Sequence, residues 1–341
     1  MSRLQSVTLK DIATRAGVSA MTVSVVLSGR SKNVFVSEAT RQRVLALAQE
    51  MGYRPNSAAR ALATGRTYLV EFWAQSVSNP YFNAVYHLAR RELQSYGLAV
   101  SLVELVGRAA PSDPLPSCSA DGLLVFDWPI GGQKLREMLT ANRSSHLPFV
   151  SMGCYRVEEA DYVGVDLYTG TLEAVQHLLS AGCRRIAHLV DRASHYESEP
   201  RRRAYALAVD QAAQEPEYVI APDASRASAR QALREHVRTR GCPEGLFCHN
   251  DILAVGAYRG LCELGLRVPD DIALVGCDGI EEIEYLERPL STLVQPAQEM
   301  CRRACRFLHE RINDPSLPPQ QALLKAELVI RASSARQPSG E

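Results

Sequence analysis

Several groups with recognisable chemistry stand where apolar runs end. Asp127 closes the run Leu123-Leu-Val-Phe, Asn250 and Asp251 follow Leu246-Phe-Cys, and Asp278 follows Val275-Gly. Arg201, Arg202 and Arg203 open a helical stretch, and Tyr81 and Phe82 follow the loop after the first apolar run. Carboxylates accept hydroxyl hydrogens, a guanidinium donates in a fork, and an aromatic ring covers an apolar face. At strand ends such groups are candidate contacts to a small polar ligand. Simpler roles compete: Asp251 suits the cap of a helix beginning at Ile252, Asp278 a turn before Gly279, and two of the three arginines a solvated surface. Catalysis finds less support, because no Walker loop, nucleophile elbow, zincin pair or dinucleotide glycine pattern occurs. His249 beside Asn250 and Asp251 reads as structural. All eight histidines lie beyond residue 66 without metal-ligand spacing, so neither a metal nor a cofactor is expected.

A second set of chemistry-bearing side chains lies at the N-terminus. Residues 1–66 carry a net charge of +7 and the rest −7, within a chain whose formal charge is zero. A basic module on an acidic body suits a polyanion partner for the module alone. Thr8 precedes Leu9, Ile12, Ala13 and Ala16 at helical spacing, with Asp11 in the first turn. Gly17 ends that helix, and Ser19 caps a second running to about Ser28. On this second helix Val23 and Leu27 share one face, while Ala20, Met21, Ser24 and Val25 share the other. Ala13, Gly17, Val23 and Val26 have the spacing of a helix-turn-helix, whose second helix enters the DNA major groove. Ser37 caps a third helix with Val44, Leu45, Ala48 and Met51 before Gly52. From Arg54 to Gly65, Asn56 can cap a helix of under two turns, too short to hold alone. That segment is either a plain linker or a hinge that folds on DNA with Leu62 as an exposed apolar wedge.

The elements that must position the strand-end groups alternate. Strands are expected at 68–73, 98–105, 123–126, 149–152, 186–190, 245–248 and 272–276, and helices at about 80–96, 171–181, 202–214 and 252–264. This pattern argues for two parallel sheets of five or six strands with helices on both faces and a ligand cleft between their carboxyl ends. Residues 106–120 read as a loop. The tail after Ala332 reads as disordered and has no leucine heptads.

Val7-Thr-Leu-Lys-Asp-Ile-Ala, Ala16-Gly-Val-Ser, Thr22-Val-Ser, Gly52-Tyr-Arg-Pro-Asn and Ala58-Ala-Arg-Ala-Leu-Ala resemble the lactose/galactose-repressor (LacI/GalR) family, over about residues 7–332. The resemblance implies an N-terminal all-α helix-turn-helix domain (1–54) with a hinge helix and linker (55–66). An α/β periplasmic-binding-protein-like core of two parallel-sheet subdomains would follow at 67–333. The first subdomain would comprise 68–164 and 294–323, the second 165–293 and 324–333, leaving a tail at 334–341. It implies a homodimeric repressor, cytoplasmic and nucleoid-associated, on near-palindromic double-stranded operator DNA, governed by a small carbohydrate-like effector. DNA contacts would come from Thr8, Ser19, Ala20, Met21, Thr22, Ser24, Val25, Tyr53, Asn56, Ala59 and Leu62, with Lys32 and Asn33 in a long loop. Effector contacts would come from Tyr81, Phe82, Asp127, Arg201, Phe247, Asn250 and Asp278, a set that suits a polyol.

This chain departs from the family pattern in places. Cys277 replaces the usual aromatic, Gly279 the usual second Asp, and Gly153 stands where Asp is frequent. Ala20, Met21 and Val25 occupy the positions that face base edges, and none can form a bidentate hydrogen bond to a base. Base reading is left to apolar contacts with thymine methyls, to Ser24, to the loop Arg30–Asn33, to Leu62 and to DNA shape. Nine cysteines without a C-x-x-C pair read as reduced and structural. The absence of a leader and of any long apolar run argues against a transported binding protein and against a membrane span.

Overall fold

The computed structural model describes residues 7–28, 35–53, 61–62, 64–74, 79–105, 120–127, 137, 147–155 and 160–336. The chain divides into one unit ending at Thr67 and a second beginning at Tyr68. The N-terminal unit holds α1 (Leu9–Ala16), α2 (Ala20–Ser28) and α3 (Glu38–Glu50). Thr8 and Asp11 cap α1 reciprocally: the Asp11 N–H donates to Thr8 Oγ1 (3.4 Å) and the Thr8 N–H to Asp11 Oδ2 (2.8 Å). Gly17 adopts φ +66°, which lets the Val18 N–H reach back to the Ala13 carbonyl at 3.1 Å and turns the chain into α2. Ser19 and Ser37 cap the next two helices, as their spacing predicts. Ile12, Val23 and Val44, one from each helix, are fully buried together. That shared core holds helices too short to be stable alone. Ala61, Leu62 and Thr64 are helical, with the Gly65 N–H donating to the Ala61 carbonyl at 2.8 Å.

The second unit runs β1 (Leu69–Ala74), α4 (Pro80–Ser95), β2 (Ala99–Glu104), β3 (Gly122–Phe126), β4 (Phe149–Gly153), β5 (Asp161–Asp166), α5 (Leu167–Ser180), β6 (Ile186–Asp191) and α6 (Pro200–Gln211). It continues with β7 (Glu217–Ala221), α7 (Arg226–Arg240), β8 (Gly245–Cys248), α8 (Asp251–Glu263), β9 (Ala273–Asp278), a 3-10 turn (Glu281–Tyr285), β10 (Ser291–Val294), α9 (Ala297–Asn313), β11 (Gln321–Lys325) and β12 (Glu327–Val329). Two six-stranded sheets result, ordered β11-β5-β4-β3-β1-β2 and β12-β10-β9-β8-β6-β7. In each, strand order reverses beside the first strand, so the crevices lie past the carboxyl ends of β1/β3 and β6/β8. Ala74 pairs level with Phe126, which puts Asp127 on the rim.

The expected all-parallel arrangement fails at one edge. β12 pairs antiparallel with β10, whereas β11, one residue earlier, is parallel to β5. A strand that leaves the carboxyl rim of one sheet and enters the other reversed requires the two carboxyl rims to face each other. β11 ends at Lys325 and β12 begins at Glu327, so the chain crosses to the second sheet at Ala326.

The expected disordered tail is also corrected at its start. Ser333 and Ser334 are fully buried. Ser333 Oγ donates to the Leu274 carbonyl (2.6 Å) and accepts the Ser291 N–H (2.8 Å). Ser333 thus serves buried backbone groups, while Ser334 Oγ pairs with Ser291 Oγ (2.7 Å) and His177 Nε2 (2.8 Å), partners that composition alone does not reveal. Ser333→Ala strands both partners and is expected to cost about 1–3 kcal/mol, read as a lower urea midpoint at unchanged m-value.

The eight described cysteines are free; Cys262 is exposed rather than buried, and Cys118 lies outside the described residues. Cys301 and Cys305 donate to the Val85 and Ala89 carbonyls, seating α9 on α4. Among the described residues no helix is long and apolar enough to cross a membrane, and no group of three His, Cys, Asp or Glu could hold a metal.

Candidate functional site

On the N-terminal unit, burial sorts α2 into two faces. Val23 and Val26 point into the core, Met21 and Ser24 are exposed, and Ala20, Thr22 and Val25 are half-buried. Thr8 and Ser19 are exposed with hydroxyls engaged in caps, and Tyr53 packs half-buried on the core with its N–H on the Ala48 carbonyl at 2.9 Å. Leu62 is 89% exposed. Lys32, Asn33, Asn56 and Ala59 lie outside the described residues. Arg15 pairs with Glu50 at 2.6 Å and Arg41 with Glu38 at 3.8 Å, both on the surface of the head.

In the second unit, the carboxyl rims bring Tyr81, Asp127, Arg201 and Asp278 into one electrostatic group. Tyr81 enters from α4, whose start is fixed by Asn79 as cap and Pro80 in the first turn. Asp127 stands at φ +45° after β3, and its Oδ1 accepts the Cys154 N–H at 2.7 Å. That carboxylate fills the room a side chain at residue 153 would need: a Cβ on Gly153 would lie 2.1 Å from Asp127 Oδ1. The chain's departure at Gly153 therefore has a steric reason. Arg201 is the one inward arginine of its trio. Its Nε donates to Glu199 Oε1 (2.8 Å) and its Nη1 to the His249 carbonyl (3.1 Å), with Glu199 fully buried.

Asp278 ends β9 at φ +126°, and its Oδ1 accepts from Gln295 Nε2 at 2.9 Å. Burial pushes its carboxyl well above the usual range; the Asp251 charge adds to the shift and Arg201 opposes it. Burial also raises Asp127, against the Cys154 N–H and Arg201. Tyr81 and Asp278 face a cavity of about 710 Å³, with Asn83 and His87 on one wall and Ile280 and Gln295 on the other. The Tyr81 hydroxyl is buried with no hydrogen-bond partner among the described residues. An orphaned buried hydroxyl beside two carboxyls is suited to a ligand that bears hydroxyls of its own.

Three sequence expectations change here. Phe247, expected at the effector, is fully buried in β8 with its ring centroid 5.2 Å from His188 and packs in the hydrophobic core. Asn250, not Asp251, caps α8, its Oδ1 accepting the Leu253 N–H at 2.9 Å. Asp251 instead turns inward and accepts the Gly279 N–H (2.7 Å), the Ile280 N–H (3.0 Å) and Thr292 Oγ1–H (2.7 Å), which fixes the strand end that carries Asp278. Phe82 is half-buried and packs edge-on against Phe126, with centroids 4.9 Å apart. Glu199 and Gln295, which orient Arg201 and Asp278, are the residues that sequence reasoning missed; the only signal was Glu199-Pro200 at a helix start.

A family pattern described as bacterial regulatory proteins, lacI family, matches residues 8–56. A second, for a periplasmic binding protein-like domain, matches residues 175–334. The HTH-type transcriptional repressor PurR of Photobacterium profundum is 30% identical over 333 residues, covering 96% of this chain and 98% of its own. The chain belongs to the lacI family. Among solved structures, a Lac repressor dimer bound to operator and the anti-inducer ONPF superimposes with a TM-score of 0.82 at 25% identity, over 97% of this chain and 99% of its own. A complex of the transcriptional regulator CelR with cellobiose gives 0.65 at 26% identity, over 96% and 100%. As a lacI-family member the protein is a DNA-binding transcriptional repressor with a helix-turn-helix head and a periplasmic-binding-like core of two mostly parallel sheets.

Proposed function

We propose that this lacI-family repressor is a cytoplasmic, nucleoid-associated homodimer, and not an enzyme, whose grip on a near-palindromic operator is set by a polyhydroxylated effector, a sugar or sugar derivative, bound between the two sheets. The carrying observation is that Asp127, Asp278 and Arg201 feel one another's charge at the strand ends, while Asp278 and Tyr81 line the cavity and the Tyr81 hydroxyl is buried without a hydrogen-bond partner among the described residues. Carboxylates and a guanidinium in such a group recognise vicinal hydroxyls. The cellobiose bound by CelR and the dimer formed by Lac repressor on its operator are consistent with this reading. Asn250 contributes through whatever its amide presents beyond the cap it makes. We further assign the head to about residues 1–54, the hinge to 55–66 and the effector core to the remainder.

In the head, α2 lies in the major groove with Ala20, Met21, Ser24 and Val25 towards the bases, and Thr8, Ser19, Thr22 and Tyr53 along the backbone. Lys32, Asn33, Asn56 and Ala59 complete the contacts, and Leu62 enters the minor groove. The effector acts by favouring one arrangement of the two sheets over the other, and only differential affinity can do so.

The test is a thermal-shift screen of the full-length protein against sugars, sugar acids and nucleobases, followed by gel shifts with and without each hit. A sugar that raises the melting temperature and changes operator affinity supports the reading; a hit confined to nucleobases replaces the sugar with a base. The +7 head predicts that operator affinity falls steeply as salt rises, by counterion release. A salt-independent affinity counts against phosphate contacts by the head.

A further inference from the structure

The outer face of α2 offers hydrogen bonds to bases through the Ser24 hydroxyl and through no amide or charged side chain. A 3.6-residue period brings Ala20, Met21, Ser24 and Val25 to the side opposite the buried Val23 and Val26. The helix Ala20–Ser28 contains no charged and no amide side chain. Thr22 is tied to Ser19, through its N–H to Ser19 Oγ (3.0 Å) and a hydroxyl pair at 2.9 Å. Met21, at 70% exposure, is the large apolar side chain that this face leaves in water.

We propose that Met21, supported by Val25, is a specificity-determining residue that reads the C5-methyl groups of thymine, so that the half-site is selected by methyl position rather than by a hydrogen-bond code. The inference rests on the reading that α2 enters the major groove. In that groove each base pair offers acceptors and donors, and only thymine offers a hydrocarbon. A thioether or isopropyl group set over a G·C edge desolvates N7, O6 or N4 with nothing in return, whereas over a thymine methyl it buries apolar surface on both sides. Met fits this task because its unbranched chain adapts to a methyl on either strand. Ser24 adds little discrimination, since a hydroxyl pairs with donor or acceptor alike. The head's basic residues lie outside α2, so attraction to phosphates and reading of bases fall to different elements. One consequence is that 5-methylcytosine, which carries the same methyl in the same place, partly substitutes for thymine.

The experiment uses the full-length protein. Duplexes are enriched from a random pool, and the enriched half-site is then rebuilt with each thymine replaced singly by deoxyuridine, which removes the methyl and nothing else. At one or two half-site positions the replacement is expected to weaken binding about fourfold, or ~0.8 kcal/mol, the value of one buried methylene-sized group. The thymine-to-uracil ratio at the position under residue 21 is expected to fall towards one in Met21→Ala. At the same position 5-methylcytosine should bind better than cytosine. Enriched half-sites whose thymines are all replaceable by deoxyuridine without loss overturn the proposal and leave DNA binding by α2 intact. A pool that yields no enriched sequence overturns the reading of α2 itself, and the proposal with it.

Discussion

Asp278→Asn and Arg201→Met are both expected to abolish the effector-induced thermal shift, while moving the stability of the free protein in opposite directions. The Asp278 carboxyl is buried beside the Asp251 charge, with its ionised form disfavoured. An amide keeps the acceptor for Gln295 Nε2 and removes the charge. The free protein therefore gains stability near neutral pH, seen as a higher melting temperature. Arg201→Met leaves the fully buried Glu199 carboxylate without its cation, and loss of one partner of such a pair costs about 3–5 kcal/mol. Each variant gives up a charged hydrogen bond to ligand, about 1.5–3 kcal/mol, or a tenfold or larger loss of affinity by calorimetry. Equal ligand affinity in both variants and wild type removes these residues from the site.

The same carboxyls give the pH dependence a sign. Asp278 and Asp251 have raised values in the folded protein, Asp251 up to about 6, against an ordinary 3.8. The folded state thus holds more protons than the unfolded one between those values. Stability from these groups is complete below 3.8 and is lost as pH rises through the folded values. Asp278→Asn flattens that slope. A ligand that donates hydrogens to Asp278 favours its ionised form, so effector affinity rises with pH over this window and binding releases a proton, measurable in buffers of different ionisation enthalpy.

Leu62→Ala is expected to weaken specific operator binding by about 2 kcal/mol or more, some 30-fold, with a much smaller effect on random DNA. Leu62 projects from a helical turn that ends at Gly65 (φ +68°), and at 89% exposure it is left uncovered by the described residues of the N-terminal unit. Two copies in a dimer can meet in the minor groove and part a base step. Unstacking costs a few kcal/mol, which the buried leucines and the wider protein–DNA interface of a bent duplex must offset. Pyrimidine–purine steps deform most readily, so the operator centre should be one, with CG the step that resemblance to the family favours. Circular-permutation gel shifts should show a smaller bend for Leu62→Ala. The same loss on specific and random DNA, with the bend unchanged, would make the segment a linker only.

Local order was legible in the sequence because it is written in near neighbours. The caps at Thr8, Ser19 and Ser37, the left-handed Gly17 and the apolar stripe Ile12, Val23 and Val44 each depend on residues within a turn or two, and all three head helices begin where those signals place them. The apolar strands that carry Asp127, Asn250 and Asp278 were visible for the same reason. β5, β7, β10, β11, β12 and α7 were not: β5 carries a glycine and charged ends, and α7 buries only Ala229, Leu233 and His236 along fifteen residues. What lay beyond the sequence was the partner of each polar group. Asn250 or Asp251 could equally cap α8, and only the approach of Gly279, Ile280 and Thr292 from β9 and β10 turns the Asp251 carboxylate inward. Phe247 stands near the rim in sequence, yet in β8 it is fully buried in the core with its ring beside His188 of β6. Ser333 and Ser334 read as tail until β9 and β10 present backbone groups to Ser333, and Ser291 and His177 their side chains to Ser334. The sequence thus determined the family, the head and seven of the twelve described strands through local propensity. Tertiary structure decided which charges face the cleft, because burial and pairing depend on chain segments tens to hundreds of residues apart.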